Sequence, residues 1–259
     1  MYSYKSRIRY SELDESGHLR LESLLDYFQD CSTFQSEDIG LGVDCLKKRH
    51  LIWVMSSWQI VVERYPDLCE WVTIGTIPYD FKGFLGFRNF LMTDEEGRRL
   101  ACANTIWSLL DTRTGMPVKA PEDMQEKYVL GPKLDMEYAP RKIRIPEKME
   151  RREKVRICPH HLDTNHHVNN GQFIRIATAS LPVDRLAMDS SETANLAVGG
   201  SAMDNPGNGG RVKQLRAEYK KQVVLGDVLT PYTMTEKDGR TIVVLKDETD
   251  SICCIVEVR

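Results

Sequence analysis

The densest group of side chains able to do acid–base or nucleophilic chemistry lies between His160 and Asn170. Four of the chain's six histidines fall within the first eight residues of this segment, HHLDTNHHVNN. A carboxylate or an imidazole can activate water or attack an acyl carbon directly. The segment precedes a predicted helix, whose first N–H groups can stabilise a developing oxyanion. The segment is therefore suited to hydrolysis of a thioester.

Three polar residues of this segment, Asp163, Asn165 and His167, occupy alternate positions. Because alternate side chains of an extended chain point to the same side, we expect all three to project together. The competing interpretation is a polar loop in which Asn169 or Asn170 caps the following helix. The density of ionisable groups at a helix N-terminus favours the catalytic interpretation.

The same segment contains residue types that bind metal ions, so a metal-dependent hydrolase is a competing hypothesis. No second cluster of ligand residues accompanies it elsewhere in the sequence. We therefore expect neither a metal ion nor another cofactor. The candidate ligands are His160, His161, Asp163, His166 and His167.

The periodicity of apolar residues predicts a strand, a long helix and a series of strands in each half of the chain. In the first half these are a strand at 4–13, a helix at 20–38 and strands at 51–64, 71–81, 84–93 and 98–111. Residues 112–150 contain five prolines and are predicted to form a connector. In the second half the elements are a strand at 154–158, a helix at 170–180 and strands at 211–224, 227–236, 241–247 and 251–258.

The two halves also share a short sequence pattern. Leu13–His18 matches Leu162–His167 at an offset of 149 residues, with Leu, Asp and His identical. The common order of elements indicates a duplicated unit. A helix with one apolar stripe must bury it, and a curved antiparallel sheet wrapped around the helix does so.

This arrangement predicts an α+β double hotdog, in which each of two tandem units has a long helix wrapped by a curved antiparallel sheet. The expected parts are residues 1–128, a linker at 129–150 and residues 151–259. Residues 183–210 have no counterpart in the first half. They are rich in Ser, Asn, Asp and Gly and are predicted to form an inserted surface loop.

Composition narrows the classes of function. A net charge of -3 argues against a dedicated nucleic-acid-binding protein. Seven dispersed cysteines without a C-x-x-C pair favour reduced thiols, and residues 1–5 contain no apolar signal core. The apolar stretches are too short to insert into a membrane. We therefore expect a cytoplasmic protein.

Two motifs of the second half resemble those of the plant and bacterial acyl-acyl carrier protein (acyl-ACP) thioesterases. Residues 163–170 are similar to that family's D-x-N-x-H-V-N-N signature, and Glu218–Gln222 resembles its E-Y-[RK]-[RK]-E strand. First-half residues that fall in the family's order are Trp53, Val54, Arg64, Tyr65, Pro66, Arg88 and Trp107. The resemblance covers nearly the whole chain and implies a double hotdog with one active half.

The resemblance implies that Asp163, Asn165 and His167 form the catalytic group. Asp163 would be the nucleophile or general base, Asn165 would polarise the thioester and His167 would position or activate water. Whether Asp163 or His167 handles the proton stays open. Gln222, which stands where plant members carry Glu, is expected to join the site, although an amide cannot exchange a proton near neutral pH. Val223 stands where plant members carry Cys, which favours a mechanism without a thiolate.

The implied reaction is hydrolysis of fatty acyl-ACP to free fatty acid and carrier protein, which terminates fatty acid synthesis. Hydrolysis of acyl-CoA and non-catalytic acyl binding are the alternatives. The first half is expected to shape an acyl tunnel, with ordinary core packing as the favoured competing interpretation of its individual candidate residues. The candidate substrate-binding residues are Leu25, Phe28, Trp53, Trp58, Asn169 and Asn170.

A basic segment between the halves is the candidate docking surface for the carrier protein. Residues 141–156 contain eight basic and three acidic residues. Complementary charge would speed encounter with an acidic carrier protein, and the competing interpretation is a solvated connector. The residues chosen for docking are Arg141, Lys142 and Arg144. The chain could also pair with a second copy as a homodimer.

Overall fold

The computed structural model describes residues 1–181 and 211–259. The predicted loop at 183–210 lies outside these residues. No helix in the described part of the chain is long and apolar enough to cross a membrane.

The first half contains five strands and three helices. The strands are β1 (Tyr2–Arg7), β2 (Leu51–Val62), β3 (Trp71–Lys82), β4 (Leu85–Thr93) and β5 (Arg99–Asp111). The helices are α1 (Leu21–Asp38), α2 (Val43–Lys48) and α3 (Glu122–Lys127), and a 3₁₀ turn forms at Tyr10–Glu12.

The second half repeats this order on a smaller scale. Two short strands, β6 (Glu150–Arg151) and β7 (Val155–Arg156), precede a 3₁₀ turn at Pro159–His161 and helix α4 (Asn170–Ala179). Four longer strands follow: β8 (Gln214–Tyr219), β9 (Val228–Thr235), β10 (Thr241–Lys246) and β11 (Ile252–Val258).

All of these strands belong to a continuous antiparallel sheet in the order β1-β3-β4-β5-β2-β8-β11-β10-β9-β6, with β7 also paired to β9. The halves join where β2 pairs with β8, so that Trp58 lies opposite Ala217. Helices α1 and α4 pack against each other and against this sheet. The predicted double hotdog is confirmed.

The apolar core lies between the sheet and the two long helices. Phe28 of α1 stacks on Trp58 and Phe90, with ring centroids 6.3 and 5.3 Å apart. In the second half Phe173 of α4 packs edge-on against Tyr219 at 5.7 Å. One buried cluster includes residues of both halves, so removal of apolar surface from water holds the two units together.

The connector covers the opposite face of the sheet. Gln59 and Asn89 point away from the helices because their neighbours Trp58 and Phe90 point toward them. Gln59 Nε2 donates to the carbonyl of Glu137 at 2.7 Å, and the N–H of Leu134 donates to Asn89 Oδ1 at 3.1 Å. The segment from Leu134 onward is therefore fixed to the sheet by outward-facing polar side chains.

Farther along, the connector also buries apolar surface. Ile143 packs with Ile242, Val244 and Ile255 on this outer face. The sheet of the second half thus has apolar contacts on both faces. Because the halves share a sheet and a core, the boundaries 1–128, 129–150 and 151–259 stay a prediction.

Several predicted elements were wrong in extent. The strand expected at 211–224 ends at Tyr219, and that at 4–13 ends at Arg7. Helices α2 and α3 were not predicted, because six residues contain too little of the helical period to be recognised. Helix α3, inside the expected connector, buries Met124 against Leu41 and Leu109.

Candidate active site

The segment around Asp163 is a closed turn. Oδ1 of Asp163 accepts the backbone N–H groups of Asn165 at 2.8 Å and His167 at 3.2 Å. The N–H of Asp163 in turn donates to the carbonyl of His167 at 2.8 Å. His166 supplies the left-handed residue of the turn, with φ of 61°. The predicted extended conformation is therefore wrong.

The turn brings the three predicted catalytic residues together through their backbones. Asp163 and His167 are half-buried and Asn165 is exposed. Within the described residues, the three side chains make no hydrogen bond to one another, and Oδ2 of Asp163 has no hydrogen-bond partner. Among the described residues that oxygen is therefore available for chemistry, as are the side chains of Asn165 and His167, which have no hydrogen-bond partner there.

Backbone contacts hold the turn between two other segments. The N–H of Val168 donates to the carbonyl of Val223, and that of Asn169 donates to the carbonyl of His161, both at 2.9 Å. Gln222 precedes Val223 in the loop that follows β8, and its side chain is exposed. Gln222 is thus one residue from the backbone contact between Val223 and Val168, without a side-chain hydrogen bond to Asp163 in the described structure.

The beginning of α4 joins the turn to both halves of the protein. Oδ1 of Asn169 accepts the N–H of Gly171 at 2.7 Å and caps the helix. Nδ2 of Asn170 donates to Oε1 of Gln29 on α1 at 3.0 Å, and the Tyr219 hydroxyl donates to the Asn170 carbonyl at 3.1 Å. Asn169 thus has the capping role, whereas Asn170 links α1 to the second half.

We predict that Asn169→Ala lowers the free energy of unfolding by about 1 kcal/mol, because the N–H of Gly171 loses its acceptor. Asn169→Asp should lose less, since a carboxylate can accept the same hydrogen bond and suits the positive end of the helix dipole. Urea unfolding of the three proteins measures both values. Equal losses in the two variants would contradict the capping role.

Sequence reasoning missed a carboxylate of the first half that approaches this helix terminus. A Cβ added to Gly171 would lie 3.2 Å from Oδ1 of Asp26, so this carboxylate lies beside the first turn of α4. Desolvation by the surrounding protein raises the pKa of Asp26 to about 6, with further contributions from Asp30, Glu22 and Glu12. The signal in the sequence was a row of acidic residues, at 22, 26 and 30, along one face of a helix.

The first half contains a turn of the same geometry. Oδ1 of Asp14 accepts the N–H groups of Ser16 at 3.0 Å and His18 at 3.1 Å. Gly17, with φ of 85°, stands at the position of His166. The duplication predicted from the sequence thus extends to individual hydrogen bonds.

The first-half turn differs in that a cationic side chain donates a hydrogen bond to the second carboxylate oxygen of Asp14. Arg211 Nη1 donates to Oδ2 of Asp14 at 2.8 Å, and Nη2 of the same guanidinium donates to Ser16 Oγ. Burial works against ionisation of Asp14, but the hydrogen bonds from His18 and Ser16 and the charge of Arg211 hold its pKa below the usual value. In the first half both carboxylate oxygens are therefore engaged.

The candidate tunnel residues fall into two clusters. Leu25, Phe28 and Trp58 are at most 2% exposed and belong to the core beneath α1. Trp53 is half-buried in a separate cluster, with its ring 6.2 Å from that of Phe81. Within the described residues, Trp58 Nε1 is buried without a hydrogen-bond partner.

The three candidate docking residues are exposed on the connector. Arg141, Lys142 and Arg144 flank the buried Ile143, whose N–H donates to Glu218. Because Glu218 faces away from the helices, these cations lie on the outer side of the sheet. No group of three or more potential metal ligands occurs in the described part of the chain.

Comparison with known proteins identifies the family of the first half. Residues 1–128 match the family model described as the acyl-ACP thioesterase N-terminal domain. Residues 1–128 belong to the acyl-ACP thioesterase family. The similarity extends into the second half, because the chloroplastic acyl-[acyl-carrier-protein] hydrolase FATB1 of Cuphea viscosissima is 25% identical over 266 residues, with 95% of this chain and 58% of that protein covered.

A second plant relative, also an acyl-ACP thioesterase, is similar over both halves of the chain. The oleoyl-acyl carrier protein thioesterase of Coriandrum sativum is 26% identical, with 93% of this chain and 65% of that protein covered. The chain thus spans less than two thirds of the length of these two relatives.

Two solved structures of acyl-ACP thioesterases have the same fold. The Bacteroides thetaiotaomicron enzyme superposes with a TM-score of 0.82 at 18% identity, covering 99% of this chain and 96% of that one. The 12:0-ACP thioesterase of Umbellularia californica gives 0.78 at 18% identity, covering 100% and 97%.

Proposed function

We propose that this protein hydrolyses the thioester of fatty acyl-ACP, releasing free fatty acid and carrier protein. The observation that carries the proposal is the difference between the two duplicated turns. Arg211 engages the second oxygen of Asp14, whereas the corresponding oxygen of Asp163 has no partner among the described residues. Of the two duplicated turns, the one that leads into α4 thus presents a carboxylate oxygen suited to acyl transfer, and the first half matches a family model named for this reaction.

Asp163 acts on the thioester carbon by one of two routes. As general base, it takes a proton from water while the water oxygen attacks the carbon; the C–S bond then breaks and the leaving thiolate takes that proton. As nucleophile, its carboxylate oxygen attacks the carbon and the C–S bond breaks, which gives an acyl anhydride and a thiolate that takes a proton from water. Hydrolysis of the anhydride then releases the fatty acid and restores the carboxylate. In both routes Asn165 polarises the thioester and His167 positions the water, with Gln222 at the rim.

The negative charge that develops on the carbonyl oxygen requires hydrogen-bond donors. The N–H of Asn170, the first residue of α4, makes no backbone or side-chain hydrogen bond within the described residues. A free N–H at the positive end of a helix is suited to an oxyanion. We therefore assign this N–H to oxyanion stabilisation.

The experiment that tests this function uses the purified full chain and acyl-ACP substrates of graded chain length. Release of free acid and free thiol should be faster with carrier-bound acyl groups than with the same groups on CoA. Faster turnover of acyl-CoA would instead identify an acyl-CoA thioesterase. Tight acyl binding without turnover would identify a non-catalytic acyl-binding module.

In this proposal the two halves divide the work. Residues 1–128 form the specificity half, residues 129–150 the linker and residues 151–259 the catalytic half. Leu25, Phe28 and Trp58 would line the acyl tunnel beneath α1, and Trp53 would act from its separate cluster.

The absence of disulfides among the seven cysteines suits a reducing compartment, and we propose a cytoplasmic location. Light scattering would test whether the protein forms a homodimer.

The exposed cations of the connector are the proposed docking surface for the carrier protein. Changing Arg141, Lys142 and Arg144 together to Glu should raise KM for acyl-ACP by about tenfold, because attraction to an acidic partner becomes repulsion. The matched control is the same triple variant assayed with acyl-CoA, whose KM should change less. An unchanged KM for acyl-ACP would exclude these residues from docking.

A further inference from the structure

A second group of cations surrounds a cavity close to the catalytic turn. This cavity, which we call the basic cleft, has a volume of about 480 Å³. It lies between residues 152–155, the 3₁₀ turn at Pro159–His161 and the C-terminal part of α4. The 3₁₀ turn leads directly into the catalytic turn, so the Cα atoms of His161 and Asp163 are at most about 7 Å apart.

The cations of the basic cleft are only partly neutralised by the protein. Arg152 has partners, since its Nε donates to Thr233 Oγ1 at 2.8 Å and it pairs with Glu150 at 3.0 Å. Lys154 and Arg175 are exposed and have no carboxylate within 4 Å in the described part of the chain. The carboxylate of Glu153, which also lines the cleft, is exposed and forms no ion pair with them among the described residues. Within that part of the chain, Lys154 and Arg175 are therefore available to an anionic ligand.

His161 adds a neutral donor to the same cavity. Its Nδ1 accepts the N–H of Cys158 at 2.9 Å, so in the neutral ring the proton is on Nε2. Burial, together with His160 and Arg175, lowers the pKa of His161 and so favours the neutral ring. The cleft therefore offers an N–H donor beside two unpaired cations.

Of the two unpaired cations, Arg175 has no counterpart of the same charge in the duplicated half. At the offset of 149 residues, Asp26 corresponds to Arg175, whereas Lys5 corresponds to Lys154. Glu12 stands at the position of the neutral His161. The charge of Arg175 is therefore specific to the half that contains Asp163, and a lysine is common to both halves.

We propose that the basic cleft binds the phosphate of the 4′-phosphopantetheine arm that carries the acyl thioester. A phosphate oxyanion matches two cations and a neutral N–H donor. The apolar floor, formed by Val155 and Ile176, suits the dimethyl group next to that phosphate. A concave cavity fits a slender arm better than the broad surface of a protein. This inference rests on the proposed function, because it places the arm beside the catalytic turn.

Binding of two small probes to the full chain tests the cleft. We expect 4′-phosphopantetheine to bind the unchanged protein about tenfold more tightly than pantetheine, because hydrogen bonds to charged groups contribute on that scale. Arg175→Gln and Lys154→Gln should each bring this ratio toward one. Lys237→Gln, which removes a positive charge from an exposed turn outside the cleft, should preserve the ratio. A ratio near one in the unchanged protein, or an unchanged ratio in both cleft variants, would overturn the proposal.

Kinetics separate failure of the cleft from failure of the proposed function. Turnover of acyl-ACP and acyl-pantetheine by the unchanged protein tests the function alone, and no turnover of either would overturn the function. The effect of Arg175→Gln on kcat/KM for acyl-ACP and for acyl-CoA then tests the cleft. A larger loss of kcat/KM with one of the two substrates identifies whether the cleft binds the phosphate of acyl-ACP or that of acyl-CoA. Equal losses of kcat/KM indicate that the cleft binds both. No loss with either substrate overturns the cleft proposal and leaves the function standing.

Discussion

Asp163→Asn lowers the rate of acyl-ACP hydrolysis by about 10²–10⁴-fold, the range contributed by a positioned proton acceptor. The amide oxygen of Asn can still accept the N–H groups of Asn165 and His167, so the turn should keep its geometry. What the variant loses is the negative charge and the ability to take a proton or form an anhydride. Single-turnover kinetics with acyl-ACP, together with the circular dichroism spectrum, measures both outcomes.

The matched control for this variant is Asp14→Asn. It makes the same substitution in a turn with the same hydrogen bonds, but there the second oxygen pairs with Arg211 at 2.8 Å. Asp14→Asn should keep the rate of hydrolysis and lose about 1 kcal/mol of stability, since the ion pair is partly exposed. Hydrolysis at the original rate by Asp163→Asn, or equal losses of rate in the two variants, would remove Asp163 from the mechanism.

Phe28→Ala lowers the free energy of unfolding by about 3–5 kcal/mol, the usual cost of removing a buried aromatic ring. Phe28 is fully buried, and its ring contacts those of Trp58 and Phe90. Truncation would leave a cavity bounded by two large rings that cannot collapse into it. Urea denaturation followed by tryptophan fluorescence measures the change, because Trp58 reports on the same site.

Phe34→Ala is the corresponding control on the same helix. Phe34 is 43% exposed and makes one edge-on ring contact, with Tyr4 at 5.3 Å. Its truncation should cost about 1 kcal/mol or less, since little apolar surface returns to water. A loss for Phe28→Ala no greater than that for Phe34→Ala would mean that the aromatic stack does not stabilise the core.

The parts of the fold that repeat a local period were predictable from the sequence. The apolar stripe of α1 and the offset between Leu13–His18 and Leu162–His167 were enough to predict the double hotdog. Capping by Asn169 or Asn170 was a competing interpretation of the sequence, and Asn169 has that role, because a cap depends on residues two positions apart. Such features depend on neighbours along the chain, which the sequence displays directly.

The features that distinguish the two turns depend on distant residues. Arg211 contacts Asp14 across 197 positions, and no local pattern indicates that pairing. The covering of the outer sheet face by the connector was also missed, because the partners of Gln59 and Asn89 lie far away along the chain. Nothing in the local sequence distinguishes these two residues from other polar residues of a strand. The extended conformation expected for the catalytic segment failed because a side-chain oxygen of Asp163 satisfies the backbone locally.

Joining the two hotdog units in one polypeptide has an evolutionary consequence. In a homodimer related by a two-fold axis, any substitution appears in both copies, so both must carry the same charges. A tandem gene product is free of this constraint, so one unit carries Glu12 and Asp26 at the positions where the other carries His161 and Arg175. One unit can then lose its reactive residues while the other keeps them, and the sheet and core that the two units share stay unchanged.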